Sequence, residues 1–228
     1  MNKINKYFTR FEKGLWAGSV LTIILSTILI PRVTSLSLIA SLIGVTSLIL
    51  NAKGNPLGQF LMVIFSLLYG IISYQTAYYG EMLTYIGMTG PMALVALISW
   101  IKNPFKGNRA QVEIASLNKR DMTMMIVQTI IVTIIFYFIL KYFNTANLGL
   151  STLSVTTSFI AVYLTYKRSP VFALAYAAND IVLIFLWTLA MIEDQSYTSV
   201  LICFVIFFIN DMYGYLSWQK MKEAQRVE

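Results

Sequence analysis

Two asparagine–aspartate pairs stand in otherwise apolar stretches near the end of the chain. Asn179 and Asp180 lie within YAANDIVLIFLW, and Asn210 and Asp211 lie 31 residues later within FFINDMYGYLSW. Carboxamide and carboxylate groups hydrogen-bond the hydroxyls of sugars, and neighbouring Trp and Tyr rings can stack on a flat ring. The pattern predicts a site for a small ligand that combines a ring with a polyol. The same pairs could instead hold neighbouring helices together by hydrogen bonds.

The composition places these pairs inside a membrane. The chain has 228 residues, of which 57% are hydrophobic and 12% charged, and its mean hydropathy is +0.69. An ionisable group inside a bilayer costs on the order of 3 kcal/mol by insertion scales, so a functional role is the default interpretation. We predict an all-α polytopic membrane protein with eight transmembrane helices. The predicted spans are residues 15–30, 33–51, 57–79, 81–100, 122–142, 149–166, 170–192 and 196–218.

The basic residues segregate with this topology. Fifteen of the 17 Lys and Arg residues fall at the termini or in alternate loops, and only Arg32 and Lys141 fall on the other side. The positive-inside rule therefore places both termini in the cytoplasm. Topology accounts for the net charge of +7, and the longest cytoplasmic loop is too short for a nucleic-acid-binding domain.

Several classes of chemistry are excluded by residue types. The chain has no histidine and one cysteine, so imidazole metal sites, Ser-His triads and disulfide frameworks are unavailable. We predict no enzyme activity, no metal and no cofactor. The remaining enzymatic alternative is an intramembrane aspartyl protease, which needs two carboxylates within about 3–4 Å. Asp180 and Asp211 are expected at different depths, and both follow Asn rather than the Tyr-Asp and Gly-x-Gly-Asp of such proteases.

An internal repeat relates the two halves of the chain. Residues 36–56 align without a gap on residues 150–170, so that Lys53 matches Lys167, and the fourth and eighth spans both end in Ser-Trp. Parallel repeats of this kind are typical of transporters with a substrate site between the repeats. Within a single membrane domain, 1–228, the predicted parts are an extra N-terminal helix (15–30), a first three-helix repeat (33–100), a linker helix (122–142) and a second repeat (149–218).

Further polar and aromatic residues extend the candidate site into the first repeat. The segment GMTGP, residues 87–91, predicts a flexing point because Pro91 removes a helical hydrogen bond. Trp100 and Trp218 flank basic loops and are expected in the membrane interface. The candidate substrate-binding residues are Asn179, Asp180, Trp187, Asn210, Asp211, Gln59, Tyr69, Tyr74 and Tyr213.

Five segments also carry a family resemblance. NAKGNPLGQ, SLLYGIISY, YYGEM, AYAANDIVLIFLW and INDMYGYLSW resemble the PnuC family of bacterial vitamin and nucleoside transporters. The resemblance implies a three-plus-one-plus-three fold like an inverted SWEET carrier, and a homotrimer in the bacterial inner membrane. It also implies facilitated diffusion of nicotinamide riboside, which a cytoplasmic kinase then traps by phosphorylation.

One departure from the family pattern bears on the substrate. The family often has W-x-x-W-x-x-x-N before the Asn of the seventh span, whereas here Phe172 and Ala175 occupy the Trp positions and Asn179 is retained. Thiamine, riboflavin and deoxynucleosides, which relatives are associated with, therefore stay open as alternative substrates.

Overall fold

Eight helices of membrane-spanning length follow one another along the chain. The computed structural model describes residues 7–30, 34–75 and 79–227. Within these ranges all eight helices are long and apolar enough to cross a bilayer, which confirms the predicted all-α class and the number of spans. Lys3, Lys6 and Arg32, which the charge count included, lie outside the described residues.

The helices alternate in direction through the bundle. They are α1 (Arg10–Leu29), α2 (Ser35–Ala52), α3 (Pro56–Gln75), α4 (Tyr79–Lys102), α5 (Lys119–Tyr142), α6 (Leu148–Tyr166), α7 (Phe172–Glu193) and α8 (Thr198–Val227). A short hairpin, β1 (Pro104–Phe105) and β2 (Asn108–Val112), occupies the loop after α4, for which the sequence analysis predicted no strands. A 3-10 turn, Gln195–Tyr197, joins α7 to α8.

The first helix begins at Arg10 rather than at the predicted residue 15. Its start is set by a capping box, in which Thr9 Oγ1 accepts from the Glu12 backbone N–H and Glu12 Oε2 accepts from the Thr9 backbone N–H. These two bonds satisfy backbone donors that a helix N-terminus otherwise leaves without partners. Hydropathy missed this turn because it is polar.

The last helix continues nine residues beyond the predicted end at residue 218 and reaches Val227. Its extension packs on the hairpin, since Met221 is buried and the Gln225 side chain hydrogen-bonds the backbone at Val112 and Ile114. This amphipathic extension therefore covers the end of the bundle at which α1 begins and α8 ends. We call this end of the bundle the basic end, since it also carries the loops after α2, α4 and α6 with their Lys and Arg residues.

Two ion pairs at the basic end have matching positions in the two halves of the chain. Glu12 and Asp121 each belong to the capping box of a helix, α1 and α5 respectively. Glu12 lies 3.2 Å from Lys53 Nζ and Asp121 lies 2.7 Å from Lys167 Nζ, and each lysine ends the next helix. The hydrogen bond to Asp121 raises the pKa of Lys167. The first helix thus contacts α2 as α5 contacts α6.

The last turn of α4 and the corresponding turn of α8 also make matching bonds, each to the other half of the chain. Trp100 Nε1 donates to the Thr165 carbonyl at 2.9 Å, and Trp218 Nε1 donates to the Asn51 carbonyl at 2.7 Å. The serines that precede the tryptophans donate in the same way. Ser99 Oγ donates to the Tyr166 carbonyl at 2.9 Å, and Ser217 Oγ donates to the Ala52 carbonyl at 2.7 Å. Thr165 and Asn51 are separated by 114 residues, which is the shift of the sequence repeat.

The two tryptophans lie in the protein interior. Both have no exposed surface, their ring centroids are 5.3 Å apart, and Phe172 packs edge-on against Trp218 at 4.7 Å. The expectation that Trp100 and Trp218 face the membrane interface is therefore wrong, because backbone carbonyls satisfy both indole N–H groups inside the bundle. We call Trp100, Phe172 and Trp218 the basic-end cluster.

Candidate functional site

Asp180 and Asp211 meet inside the bundle. Their side chains are close enough to interact with each other, and the two residues are 4% and 6% exposed. Two carboxyl groups this close and shielded from water cannot both ionise without strong repulsion, so at least one of them holds a proton.

The α7–α8 hairpin explains this contact. Asp180 precedes Gln195 by 15 residues and Asp211 follows Tyr197 by 14, so the tight turn brings both to the same depth. Gly214 allows close packing near the basic end, since a Cβ there would lie 3.3 Å from Ala173 Cβ. The expectation that Asp180 and Asp211 lie at different depths is wrong. It was based on positions counted from the predicted span boundaries, whereas the α7–α8 turn sets the depth of both residues.

Two tyrosines border the carboxyl pair. Tyr85 on α4 is buried and close enough to Asp180 to interact electrostatically, and Tyr176 on α7 interacts with both aspartates. Tyr176 lies one helical turn before Asp180, on the same face of α7. We call Asp180, Asp211, Tyr85 and Tyr176 the carboxyl site. It combines two acidic side chains with phenol rings, groups that can contact a ligand with a positive ring.

The asparagines of the two pairs point to different neighbours. Asn179 Oδ1 accepts from Thr157 Oγ1 at 2.8 Å and from Ser158 Oγ at 3.0 Å, which ties α7 to α6. Asn210 Nδ2 donates to Ser19 Oγ at 3.0 Å, which ties α8 to α1. The asparagines therefore join neighbouring helices, which is one of the two roles that the sequence left open, while the aspartates converge.

Three other predicted site residues lie away from the carboxyl site. Gln59 Nε2 donates to Asn51 Oδ1 at 2.9 Å, and the Tyr213 hydroxyl donates to Glu12 Oε1 at 2.8 Å, both near the basic end. Tyr74 is 62% exposed near the opposite end of α3. The geometry does not bring these three residues together with Asp180.

Tyr69 and Trp187 lie nearer the centre of the bundle. The Tyr69 ring centroid is 4.5 Å from that of Tyr85, and Trp187 stacks on Phe204 at 6.5 Å with an interplanar angle of 11°. Tyr69 also lines a small pocket of about 40 Å³ between α1, α2, α3 and α8, together with Cys203 and several serines. Tyr85 interacts electrostatically with Cys203, so this pocket, which we call the hydroxyl pocket, adjoins the carboxyl site.

Tyr85 lies where α4 departs from α-helical geometry. Residues Tyr85–Thr89 form a π-helical segment in which the Gly90 backbone N–H donates to the Tyr85 carbonyl. The sequence analysis expected a flexing point at residues 87–91, and the π segment overlaps it. Such segments are frequent at functional sites. Gly70 lets α3 approach the segment closely, since a Cβ at Gly70 would collide with the Ile86 side chain.

Substitution of Gly70 by Ala should displace the π segment and with it Tyr85. We expect a loss of about 1–3 kcal/mol in stability from overpacking, and reduced transport. The double variant Gly70→Ala/Ile86→Ala should recover much of both, because the smaller side chain removes the collision. The matched control is Gly87→Ala, whose Cβ would meet nothing within 4 Å. Thermal unfolding in detergent measures the effect, and equal losses for Gly70→Ala and Gly87→Ala would contradict it.

Sequence reasoning missed four residues that the geometry brings into or against the site. Tyr176 was detectable from its spacing of four residues before Asp180. Thr157 and Ser158 carry no signal beyond the polar texture of α6, since their role depends on packing against α7. Tyr85 depends on the local geometry of α4, which no periodicity predicts.

A bundle of membrane-length helices around a buried polar site defines a multi-pass membrane protein of the transporter class. The sequence model of one family, described as nicotinamide mononucleotide transporter, matches residues 34–220. The chain belongs to this family. The predicted resemblance to PnuC transporters is thereby confirmed, and so is the prediction of a transporter rather than an enzyme. The contact between Asp180 and Asp211 therefore lies in a transporter rather than in an aspartyl protease.

Curated relatives and a solved structure agree with this assignment. The nicotinamide riboside transporter PnuC of Neisseria mucosa is 24% identical over 190 residues, which cover 82% of this chain and 72% of the relative. PnuC of Haemophilus influenzae is 24% identical over 187 residues, covering 82% and 80%. A crystal structure of the vitamin B3 transporter PnuC superposes with a TM-score of 0.82 at 21% identity, over 96% of this chain and 94% of that chain, and so has the same fold.

Proposed function

We propose that the chain carries nicotinamide riboside across a bacterial inner membrane by facilitated diffusion. The observation that carries the proposal is the buried contact between Asp180 and Asp211, which in this proposal share one proton and keep one negative charge. The pyridinium ring of nicotinamide riboside has a permanent positive charge, and such a charge compensates a buried anion without a proton. The names of the two curated relatives support the same substrate.

The substrate would bind at the carboxyl site with its ring among tyrosines. The pyridinium would face the Asp180–Asp211 pair, and Tyr69 and Tyr85, whose centroids are 4.5 Å apart, would contact the ring. Hydroxyls in the adjoining hydroxyl pocket, such as Ser41, would receive the ribose. In this proposal Asn179 and Asn210 position the helices that carry the aspartates, and Trp187 packs behind them.

The basic end would face the cytoplasm and form the inner gate. Positive-inside bias supports this orientation, since Lys53, Lys167 and both termini share that end. In the present conformation the basic-end cluster and the four Ser and Trp bonds hold that end closed, while the hydroxyl pocket opens toward the opposite end. Exposure of the site to the cytoplasm would require those bonds to break, which is one half of an alternating-access cycle.

Internal symmetry would provide the moving units. The shift of 114 residues between the matching Trp–carbonyl bonds supports the two three-helix repeats, 33–100 and 149–218, with 122–142 as linker. The matching ion pairs Glu12–Lys53 and Asp121–Lys167 support an extension of the repeat to α1 as the counterpart of α5. Each moving unit would then comprise four helices rather than three.

Two further parts of the proposal rest on the family resemblance. The chain would assemble as a homotrimer. A cytoplasmic kinase would phosphorylate the imported riboside, because a passive carrier reaches equilibrium and accumulation requires removal of the free substrate. Thiamine is the second candidate substrate, favoured over riboflavin and deoxynucleosides because its thiazolium ring is also cationic and would meet the same carboxyl pair.

Uptake into proteoliposomes tests the proposal. Purified protein should take up tritiated nicotinamide riboside with saturable kinetics that are insensitive to a protonophore. Unlabelled riboside should compete strongly, and riboflavin and deoxynucleosides weakly. Uptake no faster than in protein-free liposomes would refute the proposal, and selective uptake of thiamine would replace the riboside with the second candidate.

A further inference from the structure

A second pocket lies at the opposite end from the basic end. It has a volume of about 190 Å³ and is bounded by the start of α4, the loop before α6 and the last turns of α7. Two carboxylates line it, Glu81 from α4 and Glu193 from α7, and Asn144, Thr145 and Asn147 line it from the loop. We call it the acidic pocket. The transport site described above does not include it.

Glu81 is buried without a hydrogen-bond partner on one carboxyl oxygen. The residue is 7% exposed, and no described group hydrogen-bonds its Oε2. The hydroxyl of Thr145, which lines the same pocket, is also buried without a partner among the described residues. Buried polar groups in native proteins are nearly always satisfied, so two in one pocket indicate a ligand that supplies both contacts.

The chemistry of the pocket favours an organic cation. A buried carboxylate with a second carboxylate at the rim attracts positive charge, and Glu193 is exposed there. Among the described residues no group of three His, Cys, Asp or Glu side chains could hold a metal ion. A ring cation with hydroxyls would pair its charge with Glu81 and its hydroxyls with Thr145 and the loop amides.

The acidic pocket is linked to the carboxyl site through one residue. Tyr85 lies one helical turn after Glu81 on α4 and interacts electrostatically with both Glu81 and Asp180. Tyr85 therefore has an acidic side chain of the acidic pocket and one of the carboxyl site within electrostatic reach, which places the two sites near each other.

The counterpart of this pocket in the other half of the chain lacks the charge. The internal repeat relates it to the hydroxyl pocket, since Ser37 matches Ser151 and Ile72 matches Leu186, each at a shift of 114 residues. Ser199 of the hydroxyl pocket lies 118 residues after Glu81, the same separation as that of Trp100 and Trp218. A carboxylate thus occupies a place where the packing of the other half accommodates a hydroxyl.

We propose that the acidic pocket is an outer binding site for an organic cation, from which the substrate passes to the carboxyl site. The identity of that cation as nicotinamide riboside rests on the proposed function. The outer site raises the local concentration of the cation and selects against neutral nucleosides before they reach the centre.

The test compares Glu81→Gln with Glu223→Gln, the same change at an exposed position near the basic end. In proteoliposomes, Glu81→Gln should raise the KM for nicotinamide riboside about tenfold with little change in kcat, and Glu223→Gln should leave both unchanged. The increase of KM with ionic strength seen in the wild type should be weaker in Glu81→Gln. A KM within about twofold of wild type at low ionic strength would overturn the inference.

A second variant tests the same proposal in case Glu81→Gln does not fold. Glu193→Lys places a positive charge at the exposed rim, where folding tolerates it, and should raise the KM at least about fivefold. Calorimetric titration of the detergent-solubilised wild type with nicotinamide riboside and thiamine tests cation binding in the acidic pocket separately from the proposed transport of the riboside. Binding that depends on Glu81, in a protein that transports no riboside, would support the acidic pocket and refute the proposed function. Absence of binding by either cation would overturn the acidic pocket.

Discussion

Replacement of Asp180 and Asp211 together by asparagine is expected to lower nicotinamide riboside uptake about 100-fold, whereas either single replacement should lower it less than about fivefold. The reason is the charge of the pair. In the proposed substrate-binding state the wild-type pair shares one proton and carries one negative charge, and a single Asn keeps the charge on the remaining aspartate while its amide donates a hydrogen bond. The double variant is neutral and cannot compensate the pyridinium.

Initial uptake rates in proteoliposomes measure this effect, with protein amount and orientation matched. Asparagine is close in shape to aspartate, so the elution profile on size exclusion should not change. In the double variant, neutral nucleosides should compete with nicotinamide riboside more strongly than in the wild type. The substitutions weaken the binding of the cationic riboside but not that of the neutral nucleosides. A single variant as inactive as the double would contradict the shared charge and would instead indicate that proton exchange between the carboxyls is required.

Removal of the indole N–H groups at the basic-end cluster is expected to open the inner gate. Trp100→Phe and Trp218→Phe each keep an aromatic ring but remove one of the two donors to the Thr165 or Asn51 carbonyl, at 2.9 Å and 2.7 Å in the wild type. The loss of one such hydrogen bond costs about 0.5–1.5 kcal/mol, so each variant should favour the open state about two- to tenfold. Trp218→Ala should destabilise the fold by about 3–5 kcal/mol, because it also removes a fully buried ring.

Thiol labelling reports this opening. Thr165 lies between the gate and the site, since its carbonyl accepts from Trp100 and its side chain hydrogen-bonds Tyr176. In a Cys203→Ser background, Thr165→Cys should react faster with an impermeant reagent from the basic end when either tryptophan is replaced. The matched control is Trp16→Phe, which loses an indole bond to Thr46 on an exposed part of α1. Equal labelling in all three Phe variants would contradict the gate.

The helices could be predicted from the sequence, and the contacts between them only in part. Hydropathy and the positive-inside count gave eight spans, and the boundaries failed mainly where polar capping or amphipathic turns extend a helix, as at Thr9 and Gln225. Composition marked Asp180 and Asp211 as costly in a membrane. Their contact required the position of the α7–α8 turn, since one residue of register rotates a side chain by about 100°.

The rest of the site depends on packing that one-dimensional patterns do not carry. Tryptophan beside a basic loop usually lies in the membrane interface, yet Trp100 and Trp218 are buried because carbonyls at the ends of α2 and α6 accept their N–H groups as a second donor. The π segment that places Tyr85 also has no periodicity of its own. The repeat was visible at Lys53 and Lys167, but its extension to α1 became apparent only from the ion pairs with Glu12 and Asp121.

Counterflow in proteoliposomes is the most direct test of a passive carrier with one alternating site. Vesicles are loaded with unlabelled nicotinamide riboside, diluted into tritiated riboside, and kept without any ion gradient in the presence of a protonophore. A passive carrier with one alternating site should give a transient accumulation of label above equilibrium. Each exit of unlabelled substrate leaves the binding site facing the outside, where it binds labelled riboside. A monotonic rise to equilibrium would indicate a channel, and accumulation only under a proton gradient would indicate a coupled transporter; either result would contradict the account.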